Sequence, residues 1–233
     1  MKHCLLLLLL LISISGTAQN HNQLDADGKR HGIWKKNFPD TDVMRYEGEF
    51  DHGKEIGMFK YYKNVNGKAI LAATKEFNKE NDRSEVKFYA STGKLISKGQ
   101  VKGKLYVGTW LYYQNKTEHL LSKDNYNDDG ELHGERLVYY ETGKLAQQES
   151  YDRGKLHGPS VWYAENGEVI KRYAYVQGEL HGPAKYYDQN GVLVLEGQYQ
   201  RDRKHGVWKY YENGKLVKEK DFTRRSKNPY KKN

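Results

Sequence analysis

Cysteine is nearly missing from this chain: Cys4 is the one thiol in 233 residues. It lies inside an N-terminal stretch that reads as a leader, so the mature chain is expected to carry none. That excludes disulfides, thiolate-bound zinc and a cysteine nucleophile. Aliphatic side chains are also scarce. Hydrophobic residues make up only 37% of the sequence, little material for a thick core, while 20 Tyr and 23 Gly suit a thin, turn-rich β structure with half-exposed rings. The sequence contains no G-x-x-x-x-G-K-[ST] loop and no nucleophile-elbow phrase. Between successive turn signals nothing is long enough for a helix.

The longest apolar run, Leu5 to Ile12, follows the short basic start Met1-Lys2-His3. Its core of about ten residues falls short of the roughly 20 needed to span a bilayer. Gly16-Thr17-Ala18 then offers an A-x-A-like cleavage site, and the whole predicts a signal peptide over residues 1–18. Cys4 precedes the apolar run instead of closing it, which argues against a lipoprotein anchor. The expected location is secreted, or periplasmic and cell envelope, with residues 19–27 as a short N-terminal segment. Net charge is +9, yet Lys2 and the five tail residues Arg224, Arg225, Lys227, Lys231 and Lys232 account for six of it, leaving +3 on the body. Residues 223–233 are therefore read as a basic tail, a solvated end suited to weak contact with an anionic membrane or polyanion. A nucleic-acid partner is not expected, since its basic stripe would run through the fold.

The phrase "GKLHGPSVWYAENGEV" begins at Gly154, and "GELHGPAKYYDQNGVL" begins 24 residues later at Gly178. The pairs His133-Gly134, His157-Gly158, His181-Gly182 and His205-Gly206 keep that spacing. Upstream, Val107-Gly108, Ile56-Gly57 and His31-Gly32 continue it, and "FYASTGKL" from Phe88 marks one degenerate copy, for eight units over residues 28–222. Each unit has two turn signals. One is Asn-Gly or Thr-Gly (Asn66-Gly67, Thr92-Gly93, Thr142-Gly143, Asn166-Gly167, Asn190-Gly191, Asn213-Gly214), expected to form type I′ hairpins. The other is the glycine before "LHG" at Gly130, Gly154 and Gly178. Two turns per unit mean two strands of five to eight residues. Period-two alternation places Trp208 and Tyr210, with Ala184 and Tyr186, on one face, and Lys209 and Tyr211, with Lys185 and Tyr187, on the other. The predicted fold is all-β, an elongated single-ribbon antiparallel meander of about eight two-stranded hairpins. Sixteen strands at about 4.8 Å each would make a ribbon on the order of 75 Å long.

"YEGEFDHGKEIG" (Tyr46 to Gly57) and "LEGQYQRDRKHGVW" (Leu195 to Trp208) resemble the MORN repeat, which runs Tyr-x-Gly-x-aromatic, then Gly-Lys, then a closing Gly. The downstream Tyr-Tyr-x-x-Asn-Gly-x-Leu copies are similar to a bacterial variant found in proteins often labelled antitoxins of the YwqK type. The resemblance covers about residues 25 to 222. It implies an array of the kind that serves as a membrane-associated, dimerising or protein-binding platform or as an appendage to an enzyme, and no enzyme domain is read in this sequence. A homodimer and an antitoxin-like inhibitor are among the arrangements it implies.

Three constellations invite chemistry. Zinc needs three or four ligands at about 2 Å, whereas equivalent histidines of successive hairpins stand roughly 9 to 10 Å apart. Ile56 and Val107 fill the same slot, so its histidines are read as structural and no metal is expected there. "NYNDDG" (Asn125 to Gly130) imitates the start of a calcium loop, but the twelfth position, which needs a bidentate Glu, is Arg136. No acid–base or nucleophilic constellation occurs outside the repeat, so neither an enzyme nor a cofactor is expected. The remaining candidate is the row Tyr140, Tyr163, Tyr187 and Tyr211 on the face that carries Lys185 and Lys209. Such a row either stitches the sheet together as a cross-strand ladder or presents rigid, amphipathic contact area. The expectation is an exported, non-catalytic scaffold holding a protein partner, with an antitoxin-like inhibitor of an exported partner or a peripheral lipid-binding protein as alternatives.

Overall fold

The computed structural model describes residues 21–78 and 80–223. The expected signal peptide and the tail residues Arg224, Arg225, Lys227, Lys231 and Lys232 lie outside them. The described residues contain strands and turns and no helix. A short edge strand, β1 (Gln23–Leu24), is followed by eight hairpins. These are β2 (Arg30–Asn37) with β3 (Met44–Asp51), β4 (Lys54–Val65) with β5 (Lys68–Phe77), β6 (Arg83–Tyr89) with β7 (Leu95–Lys102), and β8 (Leu105–Tyr113) with β9 (Leu120–Tyr126). Then come β10 (Gly134–Tyr139) with β11 (Leu145–Asp152), and β12 (Lys155–Tyr163) with β13 (Val169–Val176). The seventh pairs β14 (Glu179–Leu180) and β15 (Gly182–Tyr187) with β16 (Leu193–Gln200), and the eighth pairs β17 (Arg203–Glu212) with β18 (Lys215–Asp221). All belong to one sheet in which neighbours in sequence pair antiparallel, as for β3 with β4, β9 with β10 and β16 with β17. Both β14 and β15 pair with β13, so they are two pieces of one strand split at His181. The meander of eight hairpins is as expected; the β1 edge strand, pairing Gln23 with His31, is an addition.

The turns differ from expectation in type. Only Asn66-Gly67 and Asn213-Gly214 place both central residues at positive φ, as type I′ demands. At Thr92-Gly93, Thr142-Gly143, Asn166-Gly167 and Asn190-Gly191 only the glycine does. Each of these is a longer loop closed across five residues, as in Tyr140 N–H to Lys144 O and Gly143 N–H to Tyr140 O. One glycine suffices for such a loop, and a β-branched Thr would resist positive φ. The type I′ geometry concentrates at the opposite end of the strands, at His52-Gly53, Arg153-Gly154, Gln177-Gly178 and Arg201-Asp202. The Gly of the His-Gly phrase also sits at positive φ, as at Gly158 (97°) and Gly206 (65°). It coincides with a register shift in the pairing with the preceding strand, between Glu149 and Tyr151 and between Glu196 and Gln198. The invariant phrase is therefore a β-bulge.

A sheet one layer thick must bury its rings against its own backbone. Three units do this alike. Phe59, Trp110 and Trp208 are 1%, 0% and 0% exposed and lie flat over Gly48, Gly99 and Gly197 of the preceding strand. A Cβ at those glycines would stand 2.3–2.4 Å from ring carbon. The other side of each ring is covered by a neighbour: Tyr106 stacks on Trp110 at 3.8 Å, and Lys204 Nζ lies 4.0 Å from the Trp208 centroid. The Nε1 atoms of Trp110 and Trp208 donate to Gln100 O and Gln198 O at 2.8 and 3.1 Å.

Midway the pattern breaks. On β11 the glycine position is Glu149, and on β12 the ring position is Ser160. Arg136 bridges Asp124 Oδ1 (3.3 Å, from Nε) and Glu149 Oε2 (3.1 Å, from a terminal nitrogen), and Tyr151 donates to the same Glu149 oxygen. The carboxylate side chains are only 10% and 8% exposed. This ionic rung replaces an aromatic one in the same row.

Candidate binding face

The opposite face has no such core. Following the pairing across the sheet gives one continuous row: Lys35, Glu47, Lys60, Thr74, Lys87, Lys98, Leu111, Lys123, Leu137, Gln148, Val161, Arg172, Lys185, Glu196, Lys209, Glu219. From Lys60 to Lys185 the row contains no acid. At the ends the cations are matched: Lys60 Nζ lies 3.2 Å from Glu47, and Lys185 Nζ lies 3.5 Å from Glu196. Among the described residues no carboxylate is within ion-pairing distance of Lys87, Lys98, Lys123 or Arg172.

Two residues along each outgoing strand stands a tyrosine: Tyr62, Tyr89, Tyr113, Tyr139, Tyr163, Tyr187 and Tyr211, each half-buried and each opposite an apolar residue of the return strand. Tyr163, Lys185, Tyr187, Lys209 and Tyr211 therefore share one face as expected. Tyr140 does not belong with them. The pairing of Tyr139 with Leu145 shows that Tyr139 holds the register position, while Tyr140 opens the following turn and donates its hydroxyl to Tyr163 O at 2.6 Å. The Tyr-Tyr doublet made the choice ambiguous, and counting back from Thr-Gly as if its loop were two residues long selects the wrong one.

Ring–ring contacts distinguish the two faces. Among the described residues every tyrosine with a ring neighbour, from Tyr46 and Tyr61 to Tyr186 and Tyr199, belongs to the packed face. None of the seven tyrosines in the Lys-bearing row has one. Their hydroxyls depend on the neighbouring strand instead. Tyr62 donates to Glu47 (2.9 Å), Tyr211 to Glu196 (2.8 Å) and Tyr163 to Gln148 (3.3 Å). These bonds hold Glu47 and Glu196 below the ordinary carboxylate range; burial, then the bond to Glu47, pushes Tyr62 up to about 12. At the equivalent positions beside Tyr113, Tyr139 and Tyr187 the neighbour is Lys98, Lys123 or Arg172. A cation offers no acceptor, so the middle of the face presents hydroxyls beside unpaired positive charge. Reading the repeats as columns would have found these four cations; reading one unit at a time did not.

The calcium-like phrase is occupied by its own turn. Asn127 Oδ1 accepts the N–H groups of Asp129 and Glu131, Asn125 Oδ1 accepts from Thr109, and Asp128 pairs with Arg83 at 2.7 Å. The shallow hollows on the Lys-bearing face, such as that between Glu85, Lys87, Lys98, Gln100 and Thr109, are open to solvent.

The architecture defines a hairpin-repeat protein, one supersecondary unit stacked eight times. The family model described as a MORN repeat variant matches residues 132–153, 180–201 and 204–223, so the hairpins there are MORN-type repeats. The matched segments cover the fifth, seventh and eighth hairpins, and the other five share their strand pairing. No curated protein matches. A crystal structure of a protein of unknown function from Bacteroides fragilis aligns at 10% identity over 76% of this chain and 98% of that chain. Its TM-score is 0.18. MORN repeats point to a binding or scaffold role.

Proposed function

We propose that the protein is an exported, non-catalytic scaffold that holds an acidic protein partner along its Tyr–Lys face, in the cell envelope or outside the cell. The observation that carries this reading is the column of seven tyrosines, one in each unit after the first, which among the described residues have no ring partners and are flanked in mid-array by Lys87, Lys98, Lys123 and Arg172 without counter-ions. Two strand spacings of about 4.8 Å each separate one unit's contact from the next, so weak contacts add as a multivalent attachment. Export rests on the leader pattern of residues 1–18 alone. The basic tail adds weak attraction to an anionic surface, screened by salt.

Affinity capture of the tagged protein from its native envelope fraction, read by mass spectrometry, tests the proposal. A stoichiometric protein partner is expected. It should be lost when Lys87, Lys98, Lys123 and Arg172 become Glu, or Tyr163, Tyr187 and Tyr211 become Ser, with the sheet's circular dichroism unchanged. A partner retained by both variants sinks the assignment of this face. Recovery of lipid alone, released by moderate salt and by neutralising Arg224, Arg225, Lys227, Lys231 and Lys232, would make it a peripheral membrane protein instead.

A further inference from the structure

The first hairpin differs from the other seven where β1 and the β3–β4 turn meet. His31 on β2, Asp51 at the end of β3 and His52 in the turn bring one donor atom each to within 4.8 Å of one another. His31 Nδ1 is 3.6 Å and His52 Nε2 is 3.8 Å from Asp51 Oδ1, and the two imidazole centroids are 5.0 Å apart. Ligands on a tetrahedral ion at about 2.0–2.1 Å stand about 3.3–3.5 Å from each other. The two His–Asp51 contacts need to close by only a few tenths of an ångström to reach that spacing, and the two imidazole nitrogens, within 4.8 Å of each other, by rotation of the exposed rings.

A fourth residue prepares the group. Asp25, just after β1, accepts the N–H groups of Asp27 and Lys29 on Oδ1, and its Oδ2 is 2.6 Å from His52 Nδ1. Its side chain is 8% exposed. A proton held on Nδ1 by that carboxylate leaves Nε2 as the lone-pair nitrogen of the neutral ring, and Nε2 is the atom that faces Asp51. Carboxylate–histidine–metal chains are built this way, with the outer carboxylate setting tautomer and ring orientation.

The array carries its own control. The fifth hairpin repeats the geometry, with His133 Nδ1 3.4 Å from Asp152, but its turn residue is Arg153, which pairs with the same carboxylate at 3.6 Å. A guanidinium in place of an imidazole supplies charge and no ligand. Among the described residues only the first hairpin has the third donor. Equivalent histidines of successive units remain too far apart to share an ion, so the cluster owes nothing to the repeated His-Gly phrase as such; it needs the turn residue His52.

We infer that His31 Nδ1, Asp51 Oδ1 and His52 Nε2 form a three-ligand site for a divalent first-row transition ion, with Asp25 as the residue that positions His52 and a fourth coordination position open to solvent. Two imidazoles and one carboxylate select Zn²⁺, Co²⁺ or Cu²⁺ over Ca²⁺ and Mg²⁺, which demand all-oxygen shells. Such an ion would tie the two-residue β1, through Asp25, to the β3–β4 turn.

The test is titration of the tag-free protein with Zn²⁺ by calorimetry and with Co²⁺ by visible absorption, with Ca²⁺ as the comparison ion. One equivalent is expected to bind, with Co²⁺ giving a ligand-field band and Ca²⁺ no heat. His52→Asn keeps the positive-φ turn (φ 47° at His52) and should lower affinity at least about tenfold. His31→Gln should do the same, and Asp25→Asn should weaken binding about 10- to 100-fold. His133→Gln should leave it unchanged. Absence of saturable binding at 100-fold molar excess overturns the inference, and so does an equal loss in His133→Gln, which would mean scattered surface histidines. Unchanged affinity in Asp25→Asn removes the positioning role.

Discussion

Gly48, Gly99 and Gly197 illustrate how single residues replace a second layer. Absence of a Cβ lets a ring settle onto the backbone, so the aromatic is buried without a facing sheet. Gly197→Ala pushes a methyl into the Trp208 ring system and should cost about 1–3 kcal/mol, measured by urea unfolding. Ser160 is the opposite case. It is 1% exposed and its Oγ has no hydrogen-bond partner. Ser160→Ala should therefore stabilise the fold by about 1 kcal/mol, since it removes a buried unpaired hydroxyl. Half-buried tyrosines of both faces set the alkaline limit. Burial, the largest cause, pushes Tyr61 to about 12, and burial with the Glu47 bond does so for Tyr62; burial also raises Tyr112 and Tyr186. A raised phenol is neutral in the folded chain when it is already ionised in the unfolded one. Its stabilisation is complete below pH about 10 and is lost as pH rises toward 12. Absorbance at 295 nm and the circular dichroism signal should thus change together, above the normal tyrosine range.

Hairpins are the elements, and their differences lie in what fills one row. The aromatic rungs of β4, β8 and β17 give way on β9 to β11 to Asp124–Arg136–Glu149. Removing Arg136 strands two nearly buried carboxylates. Arg136→Met should cost about 3 kcal/mol, the lower end for breaking a buried pair because the arginine is itself 31% exposed. Stability independent of Arg136 would mean that solvent reaches the rung.

At the scale of the molecule, each hairpin touches its sequence neighbours and little else, so the array is close to one-dimensional. Removing β17 and β18 should leave the remaining sheet folded but less stable, because Tyr186 and Tyr199 lose their contacts with Trp208. The same linearity makes a one-per-unit feature into a surface. Tyrosines recur across the sheet on every second strand with the cations between them, and a long partner meets them in sequence. Salt should weaken attachment through the unpaired mid-array cations more than attachment through Tyr163 and Tyr211, whose charged or polar neighbours are already matched.

Strand number, hairpin order and the division into two faces were legible in the sequence, because a 24-residue period and an alternation of two are local, covalently enforced regularities. The membership of Tyr163, Lys185, Tyr187, Lys209 and Tyr211 on one face followed from that alternation. Register was a different matter. A Tyr-Tyr doublet offers two registers, and whether a Thr-Gly loop spans two residues or more depends on backbone geometry; hence Tyr139, not Tyr140, completes the row. Three things were decided only by tertiary structure. Rings over Gly48, Gly99 and Gly197 pair residues eleven positions apart through a bulge. Cations from Lys87 to Arg172 become neighbours only when eight strands are laid side by side. His31, Asp51 and His52 gather with Asp25 because β1 turns back on β2, a pairing of two residues that leaves no period to read.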